Sequence, residues 1–264
     1  MTDEQDAYIL QELDDQGILT ITLNRPAKKN AMSLAMWRAL GEIFAKAGEN
    51  SAVRGVVLTG AGGSFCTGAD ISEFDTVRAT AEQGIEYDRI NDETVLAIRN
   101  CPRPVCAAIS GYAVGGGLSL ALACDFRVAG KDAKMGIPAG RLGLVYSILD
   151  CRILTERIGT TASKRILFEG DIFGCERACE LGLVDQLTDG EAVATARAWL
   201  GALAANAPLS QAGNKAILNA LADGSVETRK AELEDLIKAA FDSEDYLEGR
   251  RAFAERRPAR FVGF

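Results

Sequence analysis

The stretch Ser110-Gly-Tyr-Ala-Val-Gly-Gly-Gly-Leu-Ser119 decides how this chain reads. Three consecutive glycines, Gly115, Gly116 and Gly117, stand between an apolar run and a helix-like one. Backbone N–H groups at the start of a helix lack internal partners, and the helix dipole adds partial positive charge there. Such a turn can bind an anion or an oxygen that develops negative charge. Glycine permits the unusual backbone angles and lets a ligand reach the N–H. A glycine-rich turn alone is often only structural. The stretch also lacks an acid.

Outward from this turn, residues 105–124 form a run of about 20 uncharged positions, long enough to span a bilayer. Glycines and serines dilute it, Pro102 and Pro104 precede it and Asp125 ends it. A buried strand, a turn and a buried helix fit it better. Upstream, residues 8–13 and 18–23 read as a hairpin around Asp14-Asp-Gln-Gly17. Met36, Trp37, Leu40, Ile43, Phe44 and Ala47 recur at helical spacing behind Ser33, a candidate N-cap. Residues 53–59 form a short apolar strand, and 85–99 look helical. Strand 105–110, helix 117–123 and strand 126–129 follow. Strands, glycine turns and helices alternate, which predicts an α/β fold with mostly buried strands. After about residue 190 the pattern is helical throughout, over 191–205, 209–221, 226–241 and 246–254.

A second turn lies in Ser64-Phe-Cys-Thr-Gly-Ala-Asp70, again after an apolar strand, with Gly68 allowing a sharp bend before Ala69. Two N–H donors from two such turns can grip one carbonyl oxygen.

The chain has 264 residues, 48% hydrophobic and 25% charged, enough for a full core. A net charge of -8 argues against nucleic acid and anionic membrane as partners. The absence of histidine removes Ser-His and Cys-His catalysis and histidine metal sites, and no metal site is expected. Seven scattered cysteines without a CxxC pair suit a reduced, cytoplasmic protein and read as small buried hydrophobes. The acidic start, residues 1–6, does not read as a signal or transit peptide. The last stretch holds Arg250, Arg251, Arg256, Arg257 and Arg260 against Glu255 alone. From the residues alone this is either a solvated basic tail or a phosphate contact.

Taken in order, the motifs resemble the crotonase family, the enoyl-CoA hydratase/isomerase superfamily. Asn24-Arg-Pro with Asn30-Ala-Met-Ser33, Ser64-Phe-Cys-Thr-Gly-Ala-Asp-Ile71 and Gly111-Tyr-Ala-Val-Gly-Gly-Gly117 with Cys124-Asp125 carry the resemblance. Gly182-Leu-Val-Asp185 and Glu248-Gly-Arg-Arg-Ala-Phe-Ala-Glu-Arg256 extend it over nearly the whole chain. The resemblance implies a spiral of repeated ββα units, with a core over 1–200 and a helical trimerisation region over 201–264. It implies a homotrimer or dimer of trimers, and an acyl-coenzyme A thioester as substrate. Coenzyme A would come with the substrate, with no cofactor bound permanently. The two oxyanion-binding N–H groups fall on Ala69 and Gly116. The adenine side of the ligand falls near Thr67 and the Lys28-Lys29 loop. Phe253 and Arg256 match positions that reach a neighbouring subunit's nucleotide.

Hydratases of this family use two glutamates to orient water and move a proton. The matching positions here are Ser119 and Ala139, and an aspartate used by some relatives is replaced by Ser147. The segment Arg141 to Asp150 offers substitutes. Tyr146 can donate a proton, and Asp150 can act as base if its turn swings inward, against a surface or helix-capping role. Ser119 can hold a water or satisfy a backbone carbonyl. Arg141 can hold a carboxylate or form a structural ion pair. Asp70 reads as a turn or helix cap, and Glu73 and Asp75 as a solvated face or part of an acyl pocket. The expected function is an acyl-CoA-processing enzyme whose oxyanion hole stabilises a thioester enolate, with isomerisation, hydration by another route, hydrolysis and decarboxylation open. The alternative is a non-catalytic acyl-CoA-binding protein or an oligomeric partner of an active paralogue.

Overall fold

A computed structural model describes residues 8–263. The acidic first residues, 1–6, lie outside them. The chain opens with β1 (Ile9–Leu13) and β2 (Ile18–Leu23), an antiparallel hairpin. Its turn is held by Asp14, whose carboxylate accepts from Ile18 N at 2.9 Å, and by Gly17 at φ +78°. Helix α1 (Leu34–Glu49) follows, capped by the Ser33 hydroxyl, which accepts from Met36 N at 3.2 Å. It leads to β3 (Gly55–Gly60), the short α2 (Phe74–Val77) and α3 (Ala81–Arg99). A capping box between Thr80 and Gln83 starts α3.

From here strands come in pairs. β4 (Val105–Ile109) enters a six-stranded sheet and β5 (Tyr112–Val114) a three-stranded one, before α4 (Gly116–Ala123). β6 (Phe126–Gly130) and β7 (Lys134–Gly136) repeat the division, before α5 (Ala139–Leu142) and α6 (Ile148–Glu169). β8 (Ile172–Gly174), α7 (Cys175–Glu180) and β9 (Gln186–Thr188) complete the two sheets. The large sheet runs β1-β2-β3-β4-β6-β9, parallel except for the first pair, and the small one β5-β7-β8. This is the expected succession of ββα units.

Helix α8 (Ala192–Ala204) covers one face of the large sheet, where Ala192, Ala196 and Leu200 meet Ile18, Val57, Cys106, Ala108 and Val128. The other face carries the larger core, with Trp37, Leu40 and Phe44 of α1. All five residues of β4 are therefore buried, as a parallel strand covered on both sides requires. Helices α9 (Pro208–Asp223), α10 (Val226–Phe241) and α11 (Glu244–Glu255) end the described chain. The expected boundary between residues 200 and 201 falls within α8.

The apolar run at 105–124 resolves into β4, β5 and α4, and among the described residues no helix is long and apolar enough to cross a membrane. The cysteines are all free, and five of the seven are buried. Burial pushes the thiols of Cys66 and Cys106 up to about 12, so they pack as inert groups.

Candidate active site

The two glycine turns meet. Gly68 stands at φ +89°, and a Cβ placed on it would lie 3.0 Å from Gly116 N and 2.9 Å from the Val114 carbonyl oxygen. No side chain fits between the turns, so their backbones touch. The first turn is fixed by a bridge to the segment before α1, with Met32 N donating to Gly68 O and Asp70 N to Met32 O, each at 2.8 Å. The second is fixed by Gly115, at φ +57°, whose N–H donates to Gly136 O at 2.9 Å. Among the described residues the N–H groups of Ala69 and Gly116 have no hydrogen-bond partner. Gly116 rests on the Trp37 indole, 3.1 Å from where its Cβ would be. That indole is locked by donating to the Tyr87 hydroxyl at 2.9 Å.

Both turns line a cavity of about 120 Å³. Its other walls include Phe74, Arg78, Asp88 and Asn91 around α3, and Ala139, Tyr146 and Asp150 around α5 and α6. Exposed Ile71, Leu142 and Val145 also line it.

Asp150 sits in the first turn of α6, where the Ser147 hydroxyl, not Asp150, supplies the cap by accepting from Asp150 N at 3.1 Å. The surface or helix-capping role open to Asp150 in the sequence therefore gives way to a buried carboxyl. It reaches the cavity from a helix rather than from a swinging turn. Its Oδ1 is buried without a partner. Burial pushes this carboxyl up to about 7, with Asp92 and Asp88 adding to the rise and a Ser119 hydrogen bond opposing it. Tyr146 is raised in turn by burial and by Asp150, with Ser119 again opposing the rise. The Tyr146 hydroxyl lies 3.6 Å from where a Cβ on Gly115 would be. Ser119, buried on α4, thus ties together the two groups the sequence offered in place of the missing glutamate.

The other substitute positions do different work. Ala139 is a buried wall residue, and Ser147 donates to Asp92 Oδ1 at 2.8 Å. Asp70 caps Ser72, and although burial alone would raise its pKa, hydrogen bonds from Lys28, Ser72 and Arg25 hold its carboxyl well below the usual range. Glu73 accepts from Leu34 N at 3.0 Å, and Arg141 pairs with Asp171 on the surface.

Thr67 joins the cavity to the Lys28-Lys29 loop, its N–H donating to Lys29 O at 3.2 Å. Lys29 lies over the Tyr112 ring at 4.4 Å, and Lys28 bonds to Asp70 at 2.8 Å. Phe253 and Arg256 stand elsewhere, at the end of α11. Phe253 is 88% exposed on an apolar groove shared with Tyr246 and Phe261. A single chain does not bring them to Thr67.

Sequence reasoning did not single out Arg78, Asp88, Asn91 or Asp92. The signal for three of them was helical spacing: Asp88, Asn91 and Asp92 fall at i, i+3 and i+4 along α3. Arg78 precedes the helix and is recognisable only once Phe74 and Tyr87 enclose it, with ring centroids 5.3 and 5.1 Å from its guanidinium carbon.

The family model for enoyl-CoA hydratase/isomerase matches residues 14–263. A solved enoyl-CoA hydratase/carnithine racemase from Magnetospirillum magneticum is 37% identical, covering 95% of this chain and 96% of its own, with a TM-score of 0.87. An enoyl-CoA hydratase from Mycobacterium tuberculosis H37Rv is 36% identical, covering 98% of this chain and 100% of its own, with a TM-score of 0.83. The (E)-benzylidenesuccinyl-CoA hydratase of Thauera aromatica is 34% identical over 92% of this chain and 94% of its own length. With the fold and the meeting of the two turns, these likenesses establish that the chain belongs to the enoyl-CoA hydratase/isomerase, or crotonase, family.

Proposed function

We propose that this protein is an acyl-CoA isomerase that moves a double bond by a one-carboxyl proton shuttle. The thioester oxygen would accept from Ala69 N and Gly116 N, which supports an enolate as negative charge moves onto that oxygen. Asp150 would take a proton from one carbon of the acyl chain and return it to another. Tyr146 and Ser119 would hold the carboxyl in place. No cofactor enters this reaction; coenzyme A arrives with the substrate.

The observation that carries the reading is that Asp150 lines the same cavity as Ala69 and Gly116. A general base works best with a pKa near the operating pH, and burial brings this carboxyl there. Hydration by paired carboxylates would need a second available acid. Among the described residues lining the cavity the other acid is Asp88, which Arg78 engages at 2.7 Å. Binding without turnover is disfavoured because a carboxyl whose pKa burial brings to about 7 lines the same cavity as these donors.

Assembly as a trimer, or a dimer of trimers, is part of this proposal. Leu218, Leu221, Ile237, Phe241 and Phe253 are large exposed apolar residues on α9, α10 and α11, as an assembly surface requires. Arg256 and Phe253 would then serve the nucleotide held by a neighbouring copy, with Lys28, Lys29 and Thr67 on the other side of that ligand.

The test is incubation of the purified protein with 3-enoyl-CoA thioesters, products being resolved by mass and by chromatography. Conversion to the 2-enoyl isomer at unchanged mass is expected. A hydrated product, or release of free coenzyme A, would replace isomerisation by hydration or hydrolysis.

A further inference from the structure

The α3 side of the cavity is polar in a way that a plain hydrocarbon chain leaves unsatisfied. Asn91 lines the cavity, and its Oδ1 is buried without a hydrogen-bond partner. Arg78, with its side chain 14% exposed, lines the same cavity between the Phe74 and Tyr87 rings. Among the described residues its side chain makes one hydrogen bond, to Asp88 at 2.7 Å, out of the five N–H donors of a guanidinium. Asn91 and Arg78 thus bring an amide and spare guanidinium donors to the lining of one small space. An aliphatic chain packed there would bury both without satisfying either, at a cost in affinity.

The charges decide which polar group fits. Arg78 is already matched by Asp88, and Asp150 adds a second carboxyl to the lining. Asp92 stands behind Ser147, bonded to its hydroxyl. Among the described residues lining the cavity no unmatched cation is left for an anionic group, and a carboxylate would meet repulsion from this cluster. A neutral hydroxyl meets no such penalty. It can donate to Asn91 and accept from Arg78 at once, and it satisfies the Asn91 amide in either orientation. Size points the same way. The cavity, at about 120 Å³, is small, which favours a short acyl chain.

We propose that the acyl group this site takes is short and carries a neutral hydroxyl toward its far end, read by Asn91 and Arg78. The inference rests on the acyl-CoA reading above and names its substrate class.

The experiment measures binding rather than turnover, so it does not depend on the reaction type. Pentanoyl-CoA, 4-hydroxybutyryl-CoA and succinyl-CoA are titrated calorimetrically against the wild-type protein and against Asn91→Leu. Pentanoyl-CoA matches the hydroxy ligand in length, and succinyl-CoA replaces the hydroxyl by a carboxylate. The leucine variant removes an unsatisfied polar group at similar volume, so it should fold, which its melting temperature checks. Expected is a preference of about tenfold or more for 4-hydroxybutyryl-CoA over both others, the scale of one satisfied hydrogen bond to a buried group, lost in Asn91→Leu. Equal or tighter binding of pentanoyl-CoA overturns the polar pocket, and tighter binding of succinyl-CoA overturns the neutral hydroxyl. A preference that survives Asn91→Leu overturns the role of Asn91. If none of the three thioesters binds, the acyl-CoA reading itself falls and this inference with it.

Discussion

Ser119 and Asp150 act on one another, one from α4 directly behind the glycine turn and the other from the first turn of α6. The position that held a glutamate in the expected pattern thus supports an acid that reaches the cavity from another helix. Ser119 favours the charged carboxylate and works against burial. Ser119→Ala should therefore raise the pKa of Asp150 above about 7, and the midpoint of the pH–rate profile should move to higher pH. A midpoint that stays in place, or falls, would remove Ser119 from this role.

The same carboxyl links stability to pH. Its folded value of about 7 lies above its ordinary 3.8, with Asp92, Asp88 and Tyr146 around it and Arg78 and Cys151 nearby. Between those two values the folded protein keeps a proton that the unfolded chain has released. The stabilisation is therefore complete below the lower value and lost as pH rises through the upper one. Each tenfold difference in proton affinity is worth about 1.4 kcal/mol. Asp150→Asn should flatten the fall in unfolding free energy between about pH 4 and about pH 8, measured by urea denaturation. With Asp150 as the proposed base, activity of the wild type should have the opposite slope, rising with pH through about 7.

Gly116→Pro tests the oxyanion donors. Gly116 is the first residue of α4, where proline's missing N–H costs the helix nothing and its fixed φ is compatible. The substitution deletes one donor, and kcat should fall by roughly 10²–10³. The Trp37 indole must shift slightly to admit the ring, which the melting temperature will record. Wild-type turnover in the folded variant would exclude this N–H from the mechanism.

Tyr87→Phe should strand the Trp37 indole N–H, which donates to the Tyr87 hydroxyl at 2.9 Å in the core. An unpaired buried donor costs about 1–3 kcal/mol. Denaturant midpoints of wild type and variant give that difference directly. A loss well below this range would mean the indole finds another acceptor.

Arg256→Glu tests the proposed nucleotide contact. Arg256 is exposed at the end of α11, with φ +53°. Reversing its charge should weaken coenzyme A affinity about tenfold or more, since hydrogen bonds to charged groups are worth about 1.5–3 kcal/mol. Calorimetric titration at fixed salt, with sedimentation to record assembly, separates lost contact from lost oligomer.

Much of this molecule is legible in its sequence, and the boundary has physical causes. The strand at 18–23 and the helix at 226–241 fall where the hydrophobic pattern puts them, and Ser33 caps α1. The three-residue strands β5, β7, β8 and β9 are too short to show a period of two, so the hydrophobic pattern alone does not mark them. Helix α6 was also missed, since Gly159 interrupts it at φ +76° and its apolar face is narrow. The two turns were recognisable because glycine at positive φ leaves a mark in sequence. That they touch at Gly68 and Gly116 required the fold. The acid was harder to place. Ser147-Ile-Leu-Asp150 carries a helix-start pattern, and only packing of α6 against α4 turns its aspartate inward.

The central claim is that Asp150 moves a proton at a carbon whose thioester oxygen is held by Ala69 and Gly116. Its most direct test is deuterium uptake at the α-carbon of a saturated thioester, butyryl-CoA, incubated with the protein in D2O and followed by mass spectrometry. Uptake reports enolate formation whatever product the natural substrate gives. Uptake by the wild type that falls to the uncatalysed rate in folded Asp150→Asn is the predicted result. No uptake by the wild type, or equal uptake by the variant, would contradict the account.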